Sequence, residues 1–244
     1  MSLERVLEPE VMDSPEEAAD YDAMDHSAVN HIFVDDLLAQ IERGQKSEVR
    51  SQSVVNLPTS DLRPLISDLD ILDLGTGTAL IPIELCKRFA ECRVMAADAA
   101  VSMLELARYN IEVNSLIERI QLAQVDAKRL SFADQMFDVV MSNSIIHHIA
   151  EPIGVLHEAV RVTKPGGLLF FRDLLRPESD EQLQQLVDSY AAGANDHQRR
   201  MFTESLHAAL SLVEVRGLIT SLGFTDDSVN QTSDRHWTWI ASKH

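Results

Sequence analysis

Leu72-Asp73-Leu74-Gly75-Thr76-Gly77-Thr78-Ala79 follows the short apolar run Asp70–Leu74 and leads into a segment, 78–90, with helical spacing. A strand, a glycine turn and a helix in that order form the opening unit of an α/β sheet. Gly75 and Gly77 permit a tight turn and let a ligand approach the backbone. Alone, a Gly-x-Gly turn is also an ordinary way into a helix.

Outward from this turn the alternation repeats. Arg93–Ala97 reads as a second strand, 101–115 as a helix with Met103, Leu104, Ala107 and Ile111 on one face, and Ile120–Val125 as a third strand. Phe137–Met141 is a fourth strand, a helix follows near 152–162, and Pro165-Gly166-Gly167 turns the chain into a fifth, Leu168–Phe171. Strands alternating with helices imply a parallel, doubly wound sheet with helices on both faces. Pro82 is tolerable because it falls in the first turn of its helix. Beyond Asp173, 179–194 and 202–222 look helical, with Gly223 as a C-cap, and 225–231 and 236–240 read as closing strands.

At the N-terminus, 1–13 reads as an extended arm and 14–43 as a helix begun by Ser14-Pro15. Residues 44–60 are polar and interrupted by Pro58, so they read as a connection. The expected organisation is an arm and helical cap over 1–60, then one domain over 61–244 with a helical insertion at about 179–222. The helical cap, with Tyr21 and His26, is a plausible lid; simple packing on the sheet is the alternative.

The chain has 244 residues, 45% apolar and 25% charged, enough for a core of ordinary size. Net charge is −18, from 21 basic and 39 acidic residues. Nucleic-acid binding needs clustered Lys and Arg, and the nearest here are the pairs Lys87-Arg88, Lys128-Arg129 and Arg199-Arg200. Nucleic acid and anionic membrane surfaces are therefore not expected partners. Cys86 and Cys92 stand without a Cys/His spacing suited to zinc, so reduced thiols and no metal are expected. No signal-peptide pattern and no spanning apolar run are present, and a cytoplasmic protein is expected, as monomer or homodimer.

In such sheets ligands bind outside the carboxyl ends of the strands. Asp73 stands there, two residues before Gly75. Its carboxylate would repel a pyrophosphate but suits a ligand with an ammonium and a sulfonium. Asp98 ends the second strand, where an acid accepts hydrogen bonds from ribose hydroxyls. Asp126 follows the third strand and either meets an adenine amino group or caps a helix. The fourth strand ends in Ser142-Asn143-Ser144, followed by His147-His148.

With these segments assembled, the sequence resembles a class I S-adenosylmethionine-dependent methyltransferase of the type 11 group. The likeness rests on 72–80, 96–108, 125–132, 137–149 and the Lys164-Pro-Gly-Gly turn, in order and spacing across 70–173. It implies a Rossmann-like, mostly parallel seven-stranded sheet with an antiparallel C-terminal strand. The donor would be S-adenosylmethionine, with S-adenosylhomocysteine as product, and the acceptor a small molecule. The resemblance implies that the Gly75-Thr76-Gly77 backbone cradles the methionine moiety and that Asp73 helps hold its amino group. It sets Ala99 and Met103 against ribose and adenine, Asp126 and Ala127 at the adenine edge, and Asn143 on the sulfonium side. Ala79 departs from a pattern that often has a third glycine. The flanks resemble a bacterial branch of the group and imply no substrate.

His147 is the candidate general base, since imidazole titrates near neutrality and its place resembles that of the histidine in plant O-methyltransferases. A packing or capping histidine is the alternative, and His148 reads as structural. Arg172, Arg176, Arg235 and His236 are candidates for gathering at the acceptor and favouring a carboxylate or phosphate; surface ion pairing is the alternative. A nicotinamide-dependent oxidoreductase would want an apolar residue at 73 and a glycine at 80, where this chain has Asp73 and Leu80. A protein that binds the cofactor without turnover, or uses it for another reaction, is compatible with the same residues.

Overall fold

The computed structural model describes residues 3–8, 13–52 and 68–244, without the side chains of 45–52. Two helices come first, α1 (Pro15–Asp22) and α2 (Ser27–Gln52). The expected single helix over 14–43 is thus two. Ser14 and Glu17 close a capping box at the start of α1. The break falls where Asp25 accepts the backbone N–H of Ser27 at 3.0 Å, a local bond that competes with helix continuation and starts α2 afresh. Helix α2 also runs into the stretch expected as a connection, 44–60; residues 53–67, and with them the boundary at 60/61, lie outside the described residues.

Next come β1 (Leu69–Leu74), α3 (Leu80–Arg88), β2 (Cys92–Asp98), α4 (Val101–Val113), β3 (Ile120–Gln124), β4 (Phe137–Asn143), α5 (Ile153–Val162) and β5 (Thr163–Leu174). The chain then forms α6 (Asp180–Tyr190), α7 (Asp196–Ala208), α8 (Leu212–Ser221), β6 (Val229–Gln231) and β7 (His236–Ser242). The helix expected over 202–222 is broken at Ala209–Ser211. There Leu210 pairs with Leu175 at the exit of β5, and Ser211 opens α8 with its own capping box to Glu214. The first of the two closing strands is shorter than expected, because Asp226–Ser228 forms a 3-10 turn.

The seven strands lie in the order β3-β2-β1-β4-β5-β7-β6. β1 to β5 are parallel, and β7 runs antiparallel to both β5 and β6. Alternate residues divide between two core layers, as strand geometry requires. Phe171 and Val140 face α5, α8 and the indoles of Trp237 and Trp239. Phe170 and Val139 face α3 and α4, with Phe33, Val34, Leu37 and Ile41 of α2 in the same layer. Each fully buried large side chain contributes about 1.5–3 kcal/mol. Among the described residues no helix is long and apolar enough to cross a membrane.

This order places β2 and β4 on opposite sides of β1, so the chain leaves β1 in both directions. In sheets of this kind ligands bind at that switch point, outside the carboxyl ends of the strands, here β1, β2 and β4. Three of the segments singled out in the sequence end there.

Candidate functional site at the switch point

The turn after β1 uses three left-handed residues, Gly75 (φ +72°), Gly77 (φ +55°) and Ala79 (φ +62°). A side chain on Gly75 would come within 2.8 Å of Cβ of Ile145, so only glycine fits there. Ala79 takes the same backbone region with a methyl group, at a cost of about 1–2 kcal/mol, and is fully buried as the N-cap of α3.

The amides of this turn are already engaged. Gly75 and Thr76 donate to the Ala97 carbonyl at 2.8 and 3.0 Å, and Ala79 donates to Thr76 O at 3.0 Å. Gly77 donates to Asp98 Oδ2 at 2.8 Å. A phosphate cradle needs free amides at a helix N-terminus, and here a carboxylate holds the central one. That arrangement suits a cation better than a phosphate.

The charge balance agrees. Asp73 is 2% exposed, and burial, with the charge of Asp98 adding to it, pushes its carboxyl up to about 7. Burial also raises Asp98, although the N–H groups of Ala100 and Gly77 oppose the shift. Among the described residues neither carboxylate makes an ion pair with Lys or Arg. Nearby, the buried Asn143 Oδ1 at the end of β4 has no hydrogen-bond partner. Two acids and one unmatched acceptor suit the ammonium, sulfonium and ribose hydroxyls of S-adenosylmethionine, whereas a pyrophosphate would meet repulsion.

Helix α1 closes over this turn. Tyr21 Cε1 would lie 3.5 Å from a Cβ on Gly77, and His26 stacks on the Tyr21 ring at 4.5 Å while bonding its carbonyl at 3.0 Å. Burial beside Asp98, Asp73 and Asp22 pushes the Tyr21 phenol up to about 12, so it stays a donor. Met103 of α4 is buried with Ala18 and Ala100, and Asp22 accepts from Asn110 of α4 at 3.0 Å. Ala99 is exposed at the tip of β2. Asp126 is exposed too; its Oδ1 accepts the Lys128 N–H at 2.9 Å, the turn-capping role, and Ala127 is buried behind it.

His147 and His148 form a 3-10 turn after β4. His147 Nδ1 lies 2.5 Å from Asp173 Oδ1 on β5, and its Nε2 faces Glu8 Oε1 at 3.4 Å. Burial pulls the imidazole pKa down, and Asp173 with Glu8 more than reverses it, leaving the pKa raised. Burial raises the Glu8 carboxyl, and the two imidazoles outweigh that and leave it lowered. The arm carrying Glu8 is fastened: Arg5 donates to Ala208 O at 2.7 Å and Ile149 O at 2.9 Å, and Val6 N donates to His207 O at 3.1 Å. Sequence reasoning gave Asp173 and Glu8 no role, although both lie in the flanking segments, Glu8–Asp13 and Phe171–Pro177, that carry the likeness to a bacterial branch. Two charged residues, Arg172-Asp173, at the end of the apolar run of β5 were the available signal for one; nothing in spacing pointed to the other.

Arg172 and Arg235 lie near His236, but each of the basic candidates is engaged by a partner of its own. Arg172, 5% exposed, donates to Thr238 Oγ1 at 2.9 Å and pairs with Asp36 of α2 at 2.6 Å. Arg176 forks onto Glu214 at 2.8 and 2.9 Å. Arg235 lies 3.3 Å over the Tyr190 ring and pairs with Asp234. His236 bonds Ser233 Oγ at 2.8 Å and is pushed down to about 4 by burial, with Arg235 and Arg172 adding. Each arginine is bound to a carboxylate, as an acidic chain favours.

Comparison with known proteins fits this site. Residues 72–171 match the model of a family described as a methyltransferase domain. The chain is 27% identical over 171 residues to the ubiquinone/menaquinone biosynthesis C-methyltransferase UbiE of Pectobacterium atrosepticum, covering 66% of this chain and 67% of that one. It is 33% identical over 202 residues to the release factor glutamine methyltransferase of Chlorobaculum tepidum, covering 82% and 65%. It thus spans about two thirds of the length of these relatives. A crystal structure of a putative S-adenosyl-L-methionine-dependent methyltransferase from Methanococcus maripaludis superposes with a TM-score of 0.64 at 19% identity, covering 98% of this chain and 97% of that one. That last likeness is one of fold.

Proposed function

The chain carries an S-adenosylmethionine-dependent methyltransferase domain, and we propose from it an enzyme that moves the methyl group of S-adenosylmethionine onto a small molecule. The observation that carries this reading is the pair of carboxylates at the glycine turn, Asp73 buried behind it and Asp98 holding the Gly77 amide. Asp73 would take the ammonium group, Asp98 the ribose hydroxyls, and Asn143 would face the sulfonium side. S-adenosylmethionine brings an already activated methyl group. The chain's own work is then placement in line and exclusion of water. Tyr21 and α1, seated over the turn, serve the second task.

His147 acts as a base only when Glu8 leaves its Nε2, since Nδ1 is held by Asp173. The acceptor we infer is neutral or cationic. Arg172, Arg176 and Arg235 are each matched by a carboxylate, so a carboxylate or phosphate on the acceptor would find no unmatched partner among them. Release of S-adenosylhomocysteine from panels of amines, phenols and small acids tests both statements. Turnover should fall among amines or phenols; turnover confined to anionic acids would overturn the acceptor reading.

A further inference from the structure

The group Glu8, His147 and His148 is not explained by donor binding. Three potential ligand atoms, one from each residue, lie within 4.8 Å of one another. Glu8 Oε1 is 3.1 Å from His148 Nδ1 and 3.4 Å from His147 Nε2. Yet Glu8 Oε1 and His148 Nδ1 are both buried without a hydrogen bond. A buried acceptor so close to ring nitrogens normally takes a proton from one of them, and an unmatched one is costly. Here the atoms come within hydrogen-bond distance without the geometry of a donor aimed at an acceptor. A tetrahedral ion about 2.0–2.1 Å from N and O ligands holds those ligands about 3.3–3.4 Å apart, close to the two distances from Glu8 Oε1 to the imidazoles.

The surroundings have the form of a ligand support. Asp173 Oδ1 lies 2.5 Å from His147 Nδ1, which fixes the tautomer that leaves Nε2 as the ligand. The same carboxylate accepts the Ile146 N–H at 2.5 Å, so the turn bearing both histidines is anchored. Ser205 donates to Glu8 Oε2 at 3.2 Å, which turns Oε1 inward. Asp173 is 1% exposed and His147 3% exposed.

We propose that Glu8 Oε1, His147 Nε2 and His148 Nδ1 form a binding site for a divalent transition-metal ion, with zinc the best match to its two nitrogens, one oxygen and ligand spacing. Three protein ligands leave a fourth position for water or an acceptor atom. The ion ties the N-terminal arm to the turn after β4, and because it takes the Nε2 lone pair His147 is no base while the ion is bound. This runs against the expectation of no metal, which rested on the spacing of Cys and His alone; Glu8 arrives from the far end of the chain.

The test uses the untagged full chain, stripped with EDTA and titrated with zinc against a chromophoric chelator. The wild type should take one zinc per chain, and cobalt(II) should give the visible absorption of a four-coordinate ion. Glu8→Gln and His148→Ala, each checked as folded by circular dichroism, should lose stoichiometric zinc. Asp173→Asn should weaken zinc binding about 10–100-fold. A wild type that takes up no zinc, or folded Glu8→Gln and His148→Ala proteins that hold it as tightly, overturns the site and leaves ion pairing as the role of the cluster. S-adenosylhomocysteine titration of the same samples reads the donor site separately. A chain that binds the nucleoside and not zinc sinks this inference alone.

Discussion

Asp73 carries its proton in an unusual range. Burial sets its carboxyl at about 7, far above the ordinary value of about 4 for an exposed aspartate. The proton is held more tightly in the fold than in the unfolded chain. The stability this contributes is complete at low pH and is lost as pH rises from about 4 through about 7. A ligand's ammonium group beside Asp73 favours the opposite, ionised state. S-adenosylhomocysteine should therefore bind more weakly as pH falls below about 7, by up to roughly tenfold per unit, and Asp73→Asn should flatten that slope. Calorimetry from pH 5.5 to 8.5 in buffers of different ionisation enthalpy reads both affinity and the proton released. A wild-type affinity independent of pH would refute the role given to Asp73. This residue was legible in the sequence because a strand end followed by a glycine turn fixes where its side chain goes. The arginines were not. Their acids, Asp36, Glu214 and Asp234, lie on other elements or beside them, and no periodicity in the chain announces such pairs.

Helix α1 is an element of eight residues whose hold on the domain is light. Its buried residue is Ala18, against Ala100 and Met103, and polar bonds such as Asp22 to Asn110 and Asp20 to His197 supply the rest. So short a helix is marginal on its own and depends on its contacts. With Tyr21 over Gly77, a ligand in the turn adds a surface for it to close on. Amide exchange across Pro15–Asp22 should slow when S-adenosylhomocysteine binds, while exchange in the core strands β1 and β4 stays unchanged. No protection of Pro15–Asp22 on binding would reduce α1 to simple packing. The strands and helices from β1 to α5 were legible nearly to their ends, because apolar period and turn residues agree from Asp70 to Val162; β5, expected as Leu168–Phe171, runs Thr163–Leu174, through the Pro165-Gly166-Gly167 turn. The breaks at Asp25 and Ser211 were not read. Each is made by one side chain capping the next helix, and on either side the apolar spacing continues as though nothing intervened.

At the scale of the whole molecule, the sheet supplies a fixed rim at β1, β2 and β4, and segments remote in sequence cover it. The arm with Arg5 and Glu8 bonds the carbonyls after β4 and α7, and α2 lies against α3 and β5. Local pattern fixes the strand ends and the turn, which is why Asp73, Gly75, Gly77 and Asp98 were expected at the carboxyl ends of β1 and β2, where the fold has them. The covering side depends on long-range contacts, which is why Glu8 and Asp173 were found only in three dimensions.

The central claim is that the switch point holds a site for S-adenosylmethionine, with Asp98 as its ribose partner. Titration calorimetry of S-adenosylhomocysteine into the wild type and Asp98→Ala tests it most directly. The wild type should bind at one site per chain, and Asp98→Ala should weaken binding by about 1–3 kcal/mol through loss of charge-assisted hydrogen bonds. An affinity unchanged by Asp98→Ala, or a wild type that binds NADH tightly and S-adenosylhomocysteine not at all, would contradict it.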